Sequence, residues 1–314
     1  MMVGVLRLIL ALLAAVPLFS ADWYLFTSFR RNGETGVHFA LSRDGRQWTP
    51  VNNNQPVVKP GPPGMLMRDP WVGQGPDGTW HMLWTWGWTR KETGGQLKIG
   101  YASSQDLIRW SPQRAIPVLD GEPEARNAWA PEAVWNPERK EWTVFWATTI
   151  PGRFPDTEGS GDSGYNHRMY SMTTKDWKTF SPSTLWFDPG FNTIDSTIVH
   201  PDKRWIMVFK DERKTPLMKR LRLAFADSPN GPWRDVGEPF TSDWVEGPSV
   251  AQIGREWWIY FDHYSQPRHY GAARTTDWKK FEDMTAQVSF PADHRHGTVV
   301  KISEKLAQQL QQLR

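Results

Sequence analysis

Acidic residues open a series of short apolar segments in this chain of 314 residues. Asp69 stands in MRDPWVGQ, Glu132 in WAPEAVWN, Asp195 in NTIDSTIV and Glu246 in WVEGPSVAQI. A buried strand gains nothing from a charge at its start, because an unpaired buried carboxylate is costly. Carboxylates that recur before equivalent segments and converge in space suit paired acid and base work: one held protonated, another ionised. An isolated Asp-Pro reads as a strand-start cap, whereas four in corresponding places read as a set.

The segments between them say what positions the set. FALSRDGRQW (39–48), GYASSQDLIRW (100–110), YSMTTKDWKTF (170–180), AFADSPNGPW (224–233) and GAARTTDWKKF (271–281) each read as a strand, a polar turn and an aromatic. The Asp or Asn of each turn can bond its own backbone, which favours tight reversals. With HRHGTVVKI (294–302) as a fifth opener, the chain holds five units of roughly 50–60 residues, each with several short strands. That spacing predicts an all-β, five-bladed β-propeller over 22–314, with about four strands per blade. The first turn segment precedes every opener and the last opener has no turn segment after it. The N-terminal strands 23–29 and 37–41 are therefore expected to complete the blade begun by 296–302, which closes the ring and removes free edges. SEKLAQQLQQLR (303–314) fits a short C-terminal helix. The innermost strand of each blade lines the axis, so residues at its start meet at one end of the channel.

Composition narrows the chemistry. There is no Cys, which excludes disulfides and thiolate catalysis. The net charge is +3 with no basic stripe, which argues against nucleic acid as a partner. The one charged run, Lys210-Asp211-Glu212-Arg213-Lys214, is mixed in sign and reads as a solvated loop. Trp is the outlier at 20 residues, and supplies both core area and flat faces for sugar rings. Residues 1–21 read as a signal peptide, with an uncleaved anchor as the alternative, so a secreted or periplasmic monomer without stable membrane insertion is expected.

The ordered set RDP (68–70), WAPE (129–132), ID (194–195) and EGP (246–248) resembles the blade-opening motifs of glycoside hydrolase family 43, across nearly the whole chain after residue 21. The resemblance implies a five-bladed enzyme that removes arabinosyl, xylosyl or related residues from oligosaccharides or polysaccharides with inversion. It implies Asp69 as general base, Glu246 as general acid and Asp195 as the residue that tunes the acid, with Glu132 as a binding carboxylate. Arg68 stands where a His is more familiar. Inverting hydrolysis requires such a pair, set about 6.5–9.5 Å apart. Repulsion from Asp195 is expected to keep Glu246 protonated, while Asp69 stays ionised. Arg68 and Asp69, as strand neighbours, are expected on opposite faces and unpaired.

His294 and His296 are expected on one strand face. His296 resembles the family's axial His, which can bind a water or metal near the centre, with a structural His as the alternative. No cofactor is required and no zinc signature is present; a structural Ca2+ at the axis is compatible with the resemblance. His167 and Arg168 follow a Gly/Ser/Asp-rich loop (151–166) expected to wall one end of the pocket, and are candidates for sugar recognition. Trp71 and Trp129 are candidates for stacking on a sugar, while most of Trp84, Trp86 and Trp88 should pack between blades. Two rivals stand beside this reading. A retaining β-fructosidase would place an Asn-Asp-Pro in the first blade, which is missing here. A non-catalytic sugar-binding propeller would keep the pocket without turnover.

Overall fold

The computed structural model describes residues 22–61 and 65–313. The expected signal peptide over 1–21, with residues 62–64 and 314, lies outside the described residues. Five antiparallel sheets follow one another along the chain as the blades of a propeller. The first is Arg68–Gln74, Trp80–Thr85, Lys98–Ser104 and Arg114–Pro117; the second is Trp129–Asn136, Glu141–Thr149, His167–Thr174 and Thr184–Phe187. The third is Thr193–Val199, Trp205–Asp211 and Arg220–Ala226; the fourth is Val245–Ile253, Glu256–His263, His269–Thr275 and Glu282–Asp283. The fifth joins the chain ends: His294–Arg295 and Val299–Ile302 both pair with Trp23–Arg30, followed by Val37–Ser42 and Thr49–Pro50. The expected closure is the one observed.

The third blade has three strands instead of about four. Its outer position is reduced to one bridge between Phe225 and Arg234. The sequence there, GPWRDVGEPF, carries Pro232 and Pro239, and proline cannot donate to a ladder.

The polar turns are built alike. Ser42 Oγ accepts from the Asp44 and Gly45 amides, while Asp44 Oδ1 accepts from the Arg46 and Gln47 amides. Ser104 with Asp106, Thr174 with Asp176 and Thr275 with Asp277 repeat this pattern. The side chains thereby satisfy turn amides that no strand partner reaches.

Between blades the core is aromatic. Trp84, Trp146 and Trp258, each on the second strand of its blade, are fully buried. Gly100 lies opposite Trp84, where a Cβ would come within 1.9 Å of the indole, so only glycine lets the ring lie flat. Trp86 stacks on Trp84, as expected, but Trp88 leaves the strand and is 37% exposed. The C-terminal helix runs Glu304–Gln311, capped by Ser303, and buries Ala307 and Leu310 against the fifth and first blades. Among the described residues no helix is long and apolar enough to cross a membrane.

Candidate active site

The inner strands of four blades are broken at the same place by a β-bulge: between Arg68 and Trp71, Trp129 and Glu132, Ile194 and Ser196, and Glu246 and Ser249. Each bulge holds one residue with positive φ: Asp69 at 51°, Ala130 at 48°, Asp195 at 49° and Gly247 at 58°. The fifth inner strand stops after Arg295 and resumes at Val299. The residues just before the break are Arg68, Trp129, Ile194, Glu246 and Arg295, and all five line one cavity of about 500 Å³. The next residues, Asp69, Asp195 and His296, line it too, while Ala130 and Gly247 have no side chain that reaches it.

A regular strand sends neighbours to opposite faces; the bulge turns both inward. Arg68 and Asp69 were expected to face apart, and for this reason they share the cavity. As expected, they do not pair. The four acidic openers are also not equivalent. Asp69 and Asp195 occupy the positive-φ place, Glu246 precedes it and Glu132 lies two residues beyond it.

At the centre, His296 Nδ1 lies 3.4 Å from Asp69 and 3.8 Å from Asp195. Thr85 Oγ1 donates to Asp69 at 2.7 Å, and the Gly247 amide donates to Asp195 at 3.1 Å. A Cβ on Gly247 would sit 2.4 Å from the His296 ring, so glycine there seats the imidazole. Glu246 is gripped by two cations, Lys210 at 3.2 Å and Arg295 at 3.3 Å. Lys210 also meets Glu212 at 2.7 Å, and Arg295 meets Asp262 at 3.4 Å.

These contacts reverse one expectation. Burial alone would raise Glu246, but Lys210, then Arg295, pull harder and hold it well below the usual carboxylate range. It is Asp195 that is pushed up, to about 6, by burial and by the Glu246 and Asp69 charges, against the pull of His296 and Lys210. Asp262, behind Arg295, is likewise raised to about 6 by burial and Glu246.

The other candidates divide. Trp129 and His167 line the cavity, and Tyr165 of the loop stacks on His167 at 5.1 Å and meets Trp129 at 4.7 Å, tilted. Burial holds His167 neutral, with its pKa lowered to about 3, and neither ring nitrogen has a hydrogen-bond partner among the described residues. Asp162, Ser163 and Tyr165 bring the 151–166 loop to the cavity as expected.

Four readings are corrected. Trp71 packs in the interface between the first two blades, edge-on to Trp142, because the bulge ends before it and regular alternation turns it away. Arg168 is 1% exposed and is spent on Asp188, Asn166 and Thr157 over the Phe154 ring, which fastens the loop. Glu132 is buried outside the cavity and is raised well above the carboxylate range by burial and by Asp195, against a hydrogen bond from Thr197. His294 does not share a face with His296, since the strand breaks between them; it bonds Ser28 and Asn54.

Lys210 is the fifth correction and the main residue missed. It is not solvated but 2% exposed, near the end of Trp205–Asp211, a strand buried along its whole length. The unbroken apolar run WIMVF before it was the available signal. Arg295, Glu212, Tyr264 and Trp88 had none, because bulges and loop ends place them. The residues do not fit a central Ca2+. Among the described residues no three His, Asp or Glu side chains gather at metal-ligand spacing, and His296, Lys210 and Arg295 take the places beside the carboxylates.

The fold has solved relatives. The exo-β-1,3-galactanase of Phanerochaete chrysosporium superposes with a TM-score of 0.54 at 12% identity, over 77% of this chain and 53% of that one. The α-L-arabinofuranosidase of Lactobacillus brevis superposes at 0.52 with 16% identity, over 74% of each chain. In sequence, 123 residues, 36% of this chain, are 27% identical to an α-L-arabinofuranosidase of Bifidobacterium longum. The match spans 11% of that relative's length. The profile of one family matches residues 20–308, nearly the whole chain. By that match the chain belongs to the glycoside hydrolase family 43-related proteins, described as a probable glycosyl hydrolase domain.

Proposed function

We propose that the protein is a secreted or periplasmic inverting glycoside hydrolase that acts from the chain end. It removes a terminal arabinofuranosyl, galactosyl or xylosyl residue from an oligosaccharide or polysaccharide. One observation carries the reading: Asp69, Asp195 and Glu246, from three separate blades, line one cavity beside an aromatic wall. The names of the relatives, arabinofuranosidase and exo-galactanase, support the first two sugars. The 151–166 loop at the rim supports exo action.

In this reading the ring of the residue removed lies against Trp129. Asp69, oriented by Thr85, takes a proton from the attacking water. Glu246 donates its proton to the leaving oxygen on the opposite face. Glu246 is ionised in the free cavity, so it must take up a proton as the glycosidic oxygen arrives. Two features allow this. Asp195, raised to about 6, can carry an exchangeable proton below neutrality, and Lys210 has Glu212 as a second acceptor, so it can release Glu246 without becoming an unpaired buried cation. His296 fixes the spacing of Asp69 and Asp195.

The test is hydrolysis of a panel of nitrophenyl glycosides and plant oligosaccharides by the unaltered protein, beside Glu246→Gln and Asp69→Asn. Loss of at least ~10²-fold in both variants, with melting unchanged, supports the assignment. Sugar binding without turnover by the unaltered protein would instead favour the lectin-like alternative.

A further inference from the structure

The charges around the cavity do not all have partners. Lys210 is matched by Glu212 and Glu246, and Arg295 by Glu246 and Asp262. Arg68 is 7% exposed and lines the cavity, yet no carboxylate among the described residues lies within ion-pair distance of it. Its Nη1 donates to the Asn32 side-chain oxygen at 2.6 Å, and its Nε is buried without a partner. Its guanidinium is flanked by the Phe29 ring at 4.7 Å and the Trp88 ring at 4.5 Å. Asp69, the next residue, does not serve, because the bulge aims its carboxylate at Thr85 and His296. A buried cation with one neutral acceptor is costly unless something else supplies the negative charge.

The surroundings indicate what supplies it. Trp88 meets Trp129 at 4.4 Å, tilted by 36°, and Trp129 meets Tyr165 at 4.7 Å, tilted by 44°, so Arg68 caps one end of a continuous aromatic wall. Arg126 caps the other, 4.1 Å over Tyr165, also without a carboxylate among the described residues. Such a wall takes the apolar face of a sugar ring. A planar guanidinium fork at its edge matches a carboxylate in two parallel hydrogen bonds. The acidic side chains elsewhere in the cavity disfavour a dianion such as a phosphate ester, and a single negative charge suits the place better.

We propose that the cavity also binds a uronic acid unit, next to the residue removed and lying along Trp88, whose carboxylate is held by Arg68. The inference rests on the reading of this cavity as a sugar site and names the class of sugar. The aromatic wall orients the ring and Arg68 selects the acidic form over its neutral counterpart.

Calorimetry with Glu246→Gln, which prevents turnover, tests it. The probes are a glucuronic acid-containing and a galacturonic acid-containing disaccharide, each beside its carboxyl-reduced form. At least one acidic probe is expected to bind ~10-fold or more tightly than its reduced form, with an affinity that falls as salt rises. In Glu246→Gln combined with Arg68→Met the gap should close to about twofold. Equal affinity for acidic and reduced probes, or a gap that survives Arg68→Met, overturns the proposal. If the double variant does not fold, the comparison of acidic with reduced probes on Glu246→Gln alone decides. Turnover by the unaltered protein separates this from the glycosidase reading. Acidic preference without cleavage of any glycoside keeps the subsite and removes the enzyme. Cleavage of neutral glycosides with no acidic preference does the reverse.

Discussion

The Lys210 ammonium lies 3.2 Å from the Glu246 carboxylate and 2.7 Å from Glu212. With Arg295, this buried cation keeps Glu246 ionised against its burial. The acid of the proposed reaction must be protonated, and Lys210 opposes that. Lys210→Met should therefore raise the proton affinity of Glu246 and move the limb of the kcat/KM profile that Glu246 sets upward by about one pH unit or more. A limb that stays in place in a folded variant would show that Lys210 does not control the acid.

Asp195 and Glu246 should pull stability in opposite directions with pH. Glu246 is lower in the folded protein than in the unfolded chain, so its contribution is present above about pH 4.3 and is lost as pH falls through the lowered value. Asp195 is raised to about 6, so the folded state holds the extra proton and stability is lost as pH rises from about 4 to that value. Asp195→Asn removes this cost and can still accept from the Gly247 amide. Thermal melts should show the variant more stable than the unaltered protein at pH 8, with the gap closing by pH 4. Its activity should fall at least ~10-fold. A variant less stable at pH 8 would contradict the burial of a charge there.

Gly247 carries both a positive φ and the seat of His296. Gly247→Ala should strain the backbone and push the imidazole from between Asp69 and Asp195. A stability loss of about 1–3 kcal/mol is expected from denaturant melts, with a drop in kcat of at least ~10-fold. Unchanged kcat would show that the position of His296 is not needed for turnover.

Two tryptophans separate core from site. Trp71 is buried between blades, so Trp71→Ala should cost about 3–5 kcal/mol of stability while leaving KM of the folded protein near its original value. Trp88 is more than a third exposed and faces the cavity. Trp88→Ala should cost far less stability and raise KM by ~10-fold. The reverse pattern would return Trp71 to the site.

Much of this was legible in the sequence because it depends on local chemistry. The Asp and Ser/Thr turns recur since each blade needs the same reversal, and their order fixed the ring closure through Trp23–Arg30 and Val299–Ile302. Asp69 and Asp195 were legible among the four recurring openers; both turn out to hold the positive-φ place of a bulge, one that Asp tolerates better than most residues. What the pattern could not reveal is where each bulge begins. A shift of one or two residues puts Glu132 and Trp71 outside the cavity and Arg68 inside it. Lys210 was obscured by its neighbours: KDERK resembles a surface run, yet its first residue ends a buried strand. Arg295 was overshadowed by the histidines on either side.

The most direct measurement follows the first-formed sugar by NMR during hydrolysis of the best substrate from the panel. If Asp69 activates water opposite Glu246, the anomer released first has the configuration inverted from the substrate, and Asp69→Asn abolishes its formation. If the first product retains the configuration, a carboxylate has attacked the sugar directly and the roles assigned to Asp69 and Glu246 are wrong.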